Sequence, residues 1–352
     1  MKMQLHRMQL PREVVVGNET LPLVSEICQR LGFNESALVV TGPDTKNIAG
    51  RRVIDLLGDK KMTVDYLVVN SSTMWEVRAV EEKIRELKPQ VVLGVGGGTK
   101  IDVAKLSSTR QGIALVSVPT TASHDGIASP VAAVKGLHKP YSVMAQSPMA
   151  IIADTDVIIN SDYRFTASGC GDLVSKFTSV RDWELAYKVK NEYYGEYAAS
   201  LALMSARLIT KNADAIKPGA EEGLRLVLEG LISCGVAMSI AGSSKPCSGS
   251  EHLFSHSLDL IEPNGALHGE QCGVGAIMMA YLYNTDWKGI KDTLQKTGAP
   301  TTAEELGMEP ESIIKALVQA SHIRPERYTI LNEKKLDYDS ATKLAKATGV
   351  IP

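Results

Sequence analysis

Short apolar runs at Ala37–Thr41, Tyr66–Val69, Val91–Val95 and Ile113–Val118 are continuous in Val, Ile and Leu instead of alternating with polar residues. That pattern belongs to strands buried on both faces of a parallel sheet. Between them, Trp75–Leu87 and Ile101–Ser107 carry their apolar residues at helical spacing. Strand, helix, strand at these intervals predicts an α/β fold with a doubly wound, Rossmann-like parallel sheet. From about Thr166 the texture changes, and Tyr194–Asn212, Glu221–Ser239, Glu251–Leu260 and Ser312–Ala320 read as helices with few strand candidates between them. The stretch Asp154–Thr166, with Asp154, Asp156, Asn160, Ser161 and Asp162, is rich in turn formers and suits a hinge. The expected organisation is an α/β dinucleotide-binding domain over residues 1–160. An all-α metal- and substrate-binding domain follows over residues 161–352, with a cleft between the two for the ligands.

A chain of 352 residues exceeds what one core usually supports, which agrees with two domains. The formal charge of −2 excludes a global basic field for nucleic acid or anionic membrane. The five cysteines (Cys28, Cys170, Cys234, Cys247 and Cys272) show no CxxC spacing and suit free thiols in a reducing, cytoplasmic setting. No run of 18 uncharged apolar residues and no apolar leader is visible, so neither a membrane span nor a signal peptide is expected.

Gly96, Gly97 and Gly98 follow one strand directly and precede a helix. Glycines there let backbone N–H groups approach a diphosphate, and the helix N-terminus adds its positive end. The spacing is neither GxGxxG nor a Walker A motif, and a tight connection without a ligand fits it too. After the next strand, Ser117-Val-Pro-Thr-Thr-Ala-Ser-His-Asp125 offers hydroxyls at Thr120, Thr121 and Ser123, the placement expected outside the carboxyl edge of a parallel sheet. Asp44 is placed to accept from an adenosine ribose hydroxyl, its neighbours Thr45 and Lys46 suit a 2′-phosphate, and a plain Pro43-Asp44 turn accounts for all three equally well.

Three segments of the second half concentrate metal-ligating side chains: Gly169-Cys-Gly-Asp172, with Asp172 expected to open a helix; Ser250-Glu-His-Leu-Phe-Ser-His256; and Leu267-His-Gly-Glu270, with His268 beside glycine-containing turns. Two imidazoles and a carboxylate with an open position form the ligand set of a catalytic zinc or ferrous ion. Spacing alone leaves open which two of His252, His256 and His268 bind, although i,i+4 places His252 and His256 on one helix face.

The runs Gly96–Lys105 and Pro119–Pro130, then Gly-Cys-Gly-Asp172, Ser-Glu-His252 and Leu-His-Gly-Glu270, occur in this order. They resemble the superfamily of glycerol dehydrogenases, iron-containing alcohol dehydrogenases and dehydroquinate synthases. Within it they resemble the sn-glycerol-1-phosphate dehydrogenase family, whose product is the glycerophosphate backbone of archaeal-type lipids. The resemblance runs from about Arg12 to Ile330. It implies one Zn2+ per subunit on Asp172, His252 and His268. His256 and Asp125 become catalytic residues and, with Asp172, substrate contacts. It implies NAD(H) or NADP(H) held by Gly97, Gly98, Thr99, Lys100, Ile101 and Asp102, by Thr120, Thr121, Ala122 and Ser123, and by Ser129, with Asp44 added from its position. The activity implied is reversible reduction of dihydroxyacetone phosphate to sn-glycerol 1-phosphate by a homo-oligomer. Lys176, Arg164 and His138 are the candidates for the substrate phosphate, each with a structural role as the alternative. The competing readings are a polyol dehydrogenase acting on unphosphorylated glycerol, a dehydroquinate-synthase-like lyase, and a non-catalytic nucleotide-binding protein with structural zinc.

Overall fold

In the computed structural model, residues 6, 8–136, 140–263 and 265–352 are described, and the chain divides into two compact units, Met1–Asp162 and Tyr163–Pro352.

The first unit contains strands β1 (Glu13–Gly17), β2 (Ser36–Thr41), β3 (Thr63–Val68), β4 (Val91–Gly96), β5 (Ala114–Pro119), β6 (Val131–Lys135), β7 (Pro140–Met144) and β8 (Ala150–Asp154). Six of them form one parallel sheet in the order β1-β8-β5-β4-β2-β3, while β6 and β7 pair as a separate antiparallel ribbon. The continuous apolar runs now have their reason. Val39, Leu93, Val95 and Val116 point to a core shared with Val24, Ile27, Val53 and Leu57. Leu38, Val40, Val92 and Leu115 point to the opposite core, with Val77, Val80, Ile84 and Val103. Successive strand residues therefore bury on opposite faces, each under its own helical layer.

The helix Gly98–Gln111 lies close on β4, because a Cβ at Gly94 would stand only 3.1 Å from that of Ala104. Two turns into this helix, Lys105 is fully buried and donates to Asp102 Oδ1 at 3.2 Å and to the carbonyls of Gly126 and Val131, each at 2.7 Å. The other Asp102 oxygen accepts the N–H of Ala133 on β6 at 3.0 Å. This buried pair ties the helix behind the glycine turn to the segment that follows β5.

The second unit is built from helices, the longer ones being Tyr163–Val174, Lys176–Lys190, Glu196–Lys211, Glu221–Ala241, Ser250–Ile261, His268–Leu282, Trp287–Lys296, Pro310–Ile323 and Tyr338–Ala347. No strand occurs among its described residues. Glu221–Ala241 is long and apolar enough to cross a membrane, and 72% of its most apolar window is buried within the protein.

Several local expectations change. Asp172 does not open a helix; it stands in the last turn of Tyr163–Val174. His268 is the first residue of its helix, and Gly269 lies inside that helix instead of in a turn. Within the stretch Asp154–Thr166, Asp154 ends β8, caps Thr155–Ile158 by accepting from Asp156 and Val157, and accepts the N–H of Leu21 at 2.7 Å, and the two compact units divide at Asp162. Asp337 is the N-cap of Tyr338–Ala347.

Asp102→Ala would leave the Lys105 ammonium buried without its carboxylate, a change that costs about 3–5 kcal/mol. Equilibrium urea unfolding should show this loss, and adding Lys105→Met should recover a large part of it. A loss within about 0.5 kcal/mol would refute the role given to the pair.

Candidate active site

Two glycines explain how separate segments of the second unit meet. A Cβ on Gly171 would stand 2.2 Å from the carbonyl oxygen of Gly269, and one on Gly269 would stand 2.0 Å from that of Ser168. No residue but glycine lets the backbones of Tyr163–Val174 and His268–Leu282 approach this closely. The crossing puts Asp172 beside the start of the helix that begins with His268. Ser250–Ile261 packs against that same helix and supplies His252 and His256.

His252 Nε2 lies 3.7 Å from Asp172 Oδ1, and the His252 and His268 rings meet edge-on at 4.9 Å. The His256 and His268 rings stack at 6.0 Å. Both nearer imidazoles are held from behind. His252 Nδ1 pairs with the buried Glu251 carboxylate at 2.9 Å, and His268 Nδ1 with the hydroxyl of Ser255 at 3.1 Å. Glu251 is fixed in turn by the N–H of Gly249 and the hydroxyl of Thr178, each at 2.7 Å. Tying down Nδ1 selects the tautomer that leaves Nε2 to a ligand.

The charges suit a cation. Burial works against the Asp172 carboxylate, yet the Lys176 ammonium, 2.6 Å away, and the imidazoles of His252 and His268 outweigh it and hold Asp172 well below the usual carboxylate range. Burial, reinforced by the charge of Lys176, pushes His252 far down, so its ring is neutral. Cys272, one turn after His268, brings Sγ to 3.6 Å from His268 Nε2. His252, His268 and Cys272 have potential ligand atoms within 4.8 Å of one another. Burial and then the charges of Asp172 and Glu251 push the Cys272 thiol well up, keeping it protonated. Two imidazoles held from behind through Nδ1, beside an ionised carboxylate, fit a divalent zinc-type ion.

In the first unit, Gly97 is the N-cap of Gly98–Gln111 and offers no side-chain acceptor to the amides of the first turn. A Cβ at Gly97 would meet Thr121 Oγ1 at 3.1 Å, and one at Gly98 would stand 1.9 Å from His124 Nε2. Glycine at 98 is therefore required by the His124 ring, whose Nδ1 accepts the N–H of Gly126 at 3.0 Å. Thr120 sits at the end of β5, its N–H bonded to Gly96 O at 3.1 Å, and its buried hydroxyl makes no hydrogen bond. An uncapped helix N-terminus beside an unsatisfied buried hydroxyl fits a diphosphate.

The chain matches the iron-containing alcohol dehydrogenase family over residues 15–161. It is 54% identical to glycerol-1-phosphate dehydrogenase [NAD(P)+] of Methanosarcina mazei, over 98% of this chain and 96% of that one. The enzyme of the same name from Pyrococcus furiosus is 52% identical over 99% of this chain and all of its own length. The chain belongs to the glycerol-1-phosphate dehydrogenase family. Its fold is shared with glycerol dehydrogenase from Schizosaccharomyces pombe, at a TM-score of 0.81 and 21% identity over 98% of this chain and 91% of that one.

The remaining expected positions of this family member can now be placed. Thr99 and Lys100 lie half-buried in the first helical turn, and Lys100 Nζ donates to Asn70 O at 3.2 Å. Ile101 is buried in the core, and both Asp102 oxygens serve the fold. Ala122 and Ser123 are buried, and the Ser129 hydroxyl donates to Val131 O at 3.2 Å. Asp125 opens a single 3-10 turn, and its carbonyl accepts from Ala128 and Ser129. Asp44 is exposed in the short helix Pro43–Thr45. Thr45 bonds to Thr41 and Gly42, and Lys46 bonds to the hydroxyl of Tyr66, so local partners engage both residues weighed for a 2′-phosphate. Of the phosphate candidates, Lys176 is buried against Asp172, Arg164 is paired twice with Glu270 at 2.6 and 2.8 Å, and His138 lies outside the described residues. Glu251, Ser255 and His124 were not singled out from the sequence. Each lies inside a motif that was, which is the signal that would have found them.

Glu251→Gln should weaken zinc binding about 10–100-fold in chelator competition, because it replaces the charged acceptor that fixes His252 with a neutral amide. An affinity within twofold of wild type would show that Glu251 does not orient the ligand.

Proposed function

We propose that this chain reduces dihydroxyacetone phosphate to sn-glycerol 1-phosphate with NADH or NADPH, reversibly, and so feeds glycerophosphate into archaeal-type membrane lipids. The observation that carries the reading is the Asp172, His252 and His268 cluster, its imidazoles oriented from behind, in a chain that is 54% identical over nearly its whole length to a relative named for that reaction.

When bound, the zinc supplies Lewis acidity at the substrate's C2 oxygen and the nicotinamide supplies hydride to C2. Asp172, His252 and His268 would hold the metal, with Glu251 and Ser255 keeping the two imidazoles in the ligating tautomer. His256 is assigned the proton. Burial and the neighbouring histidines keep its ring neutral, and its buried Nδ1 makes no hydrogen bond. A neutral imidazole can take a proton from solvent and pass it to the alcohol oxygen as hydride arrives, which balances the reduction. Asp125 is retained as a substrate contact on its motif alone. For the nucleotide, the first-turn amides after Gly97, together with Gly98, Thr99 and Lys100, are assigned to the diphosphate. Thr120, Thr121, Ala122, Ser123 and Ser129 are assigned as further contacts, and Asp44 is assigned to the ribose. Asp102 and Ile101 support the turn from below.

The five free, buried cysteines support a cytoplasmic setting. Exposed Tyr187, Val189, Tyr193, Tyr197 and Met204, on or between the neighbouring helices Lys176–Lys190 and Glu196–Lys211, support assembly with a second copy.

An NADH and NADPH oxidation assay with dihydroxyacetone phosphate should give turnover that disappears on chelation, returns with zinc, and yields the sn-1 enantiomer. Turnover of dihydroxyacetone without turnover of its phosphate would replace this reading with a polyol dehydrogenase. His268→Ala should lose metal and activity together while nucleotide still binds, as read by NADH fluorescence. Full activity and full metal content in that variant would contradict the assigned ligands.

A further inference from the structure

A seam of polar side chains lies behind His268, between two packed helices. Ser255 and Asp259 stand one turn apart on Ser250–Ile261, and His268 and Gln271 share one face of His268–Leu282, which packs against it. Ser255 and Gln271 are fully buried. The Ser255 hydroxyl lies 3.1 Å from His268 Nδ1 and 2.6 Å from Gln271 Oε1. Gln271 Nε2 donates to Asp259 Oδ1 at 3.1 Å and to the carbonyl of Ala266 at 3.2 Å.

The hydrogens along this chain have one consistent arrangement. A peptide carbonyl only accepts, so the end of the Gln271 amide that faces Ala266 O is its NH2 group, and the Asp259 oxygen beside it agrees. The end facing Ser255 is then the carboxamide oxygen, which also only accepts. Ser255 has a single hydroxyl hydrogen, and this close acceptor takes it. Toward His268 the same oxygen therefore offers only a lone pair. The hydrogen in that bond sits on Nδ1, which leaves Nε2 of the neutral ring bare. The Cys272 thiol also reaches Ser255, but sulfur is a weak acceptor and does not draw the hydroxyl hydrogen away from a carboxamide. Without the glutamine, the hydroxyl is free to turn and donate to Nδ1. The imidazole hydrogen then moves to Nε2, the atom a metal needs.

We propose that Gln271 is a positioning residue for His268: by fixing which way the Ser255 hydroxyl points, it holds the imidazole in the Nδ1–H tautomer that ligates zinc. This rests on the zinc site given under Proposed function, in which His268 is a ligand.

Nitrogen NMR of the metal-free protein tests this directly, at about pH 9, above the ordinary histidine range. The His268 signals are assigned by their loss in His268→Ala. Wild type should show a pyrrole-type Nδ1 and a pyridine-type Nε2, and the reverse pattern overturns the proposal. Gln271→Met removes the acceptor. It should shift His268 toward the Nε2–H form and weaken zinc binding about 10-fold or more in chelator competition. Gln271→Glu keeps an acceptor for Ser255 while losing the amide donor, so it should retain the Nδ1–H form. Equal losses in the two variants overturn the proposal, because Gln271 would then only brace the segment before His268. In a Ser255→Ala background, Gln271→Met should cost less than about twofold more, since the glutamine acts through that hydroxyl. A full additional loss there contradicts it. Should Gln271→Met not fold, the wild-type tautomer and Gln271→Glu decide. If added zinc leaves the His268 signals unchanged, the zinc site fails on its own, and the tautomers of the metal-free proteins still decide the role of Gln271.

Discussion

The close crossing of Gly171 over Gly269 is the constraint on which the second unit depends. A side chain at either position would run into backbone at 2.2 or 2.0 Å, where nothing can yield without separating the helices. The separation matters because the crossing brings together an aspartate and a histidine that lie almost a hundred residues apart in sequence. With the helices in contact, Asp172 loses its water entirely, and an isolated carboxylate there would be prohibitively unstable. Lys176 and the two imidazoles are what make its ionised form the favoured one.

Behind this cluster stands a layer of polar groups with few degrees of freedom. Glu251, Thr178 and the N–H of Gly249 form one arm, and Asp182, Ser250, Tyr283 and Ile330 form another. Both arms end on the first turn of the histidine helix. The buried polar groups of these arms are paired with one another, which is the condition under which a polar interior adds rigidity. Helices Lys176–Lys190, Ser250–Ile261 and His268–Leu282 and the C-terminal segment therefore position the histidines together. Ligand geometry at such a site is set by its surroundings as much as by the ligands themselves.

Much of this was legible in the sequence, for physical reasons. A strand buried on both faces must be apolar throughout, so β2, β4 and β5 announced themselves as unbroken runs. β1 and β8 did not: Glu13–Gly17 is half-exposed at the sheet edge, and Ala150–Asp154 merges into the turn-rich stretch read as a hinge. Asp172 was recognised as a ligand candidate but placed at the wrong end of a helix. Glycines that serve a helix crossing look the same in sequence as glycines that break a helix. The residues around Arg327 were illegible for another reason. Its partners Ser244 and Ser248 lie 83 and 79 positions away, and no local pattern encodes a contact at that separation.

X-ray absorption at the zinc edge of the metal-loaded protein tests the central claim most directly. The account predicts a first shell of nitrogen and oxygen at about 2.0–2.1 Å with the multiple scattering of two imidazoles and no sulfur. A sulfur scatterer at about 2.3 Å would place Cys272 on the metal and contradict the assignment of Asp172, His252 and His268 as its ligands.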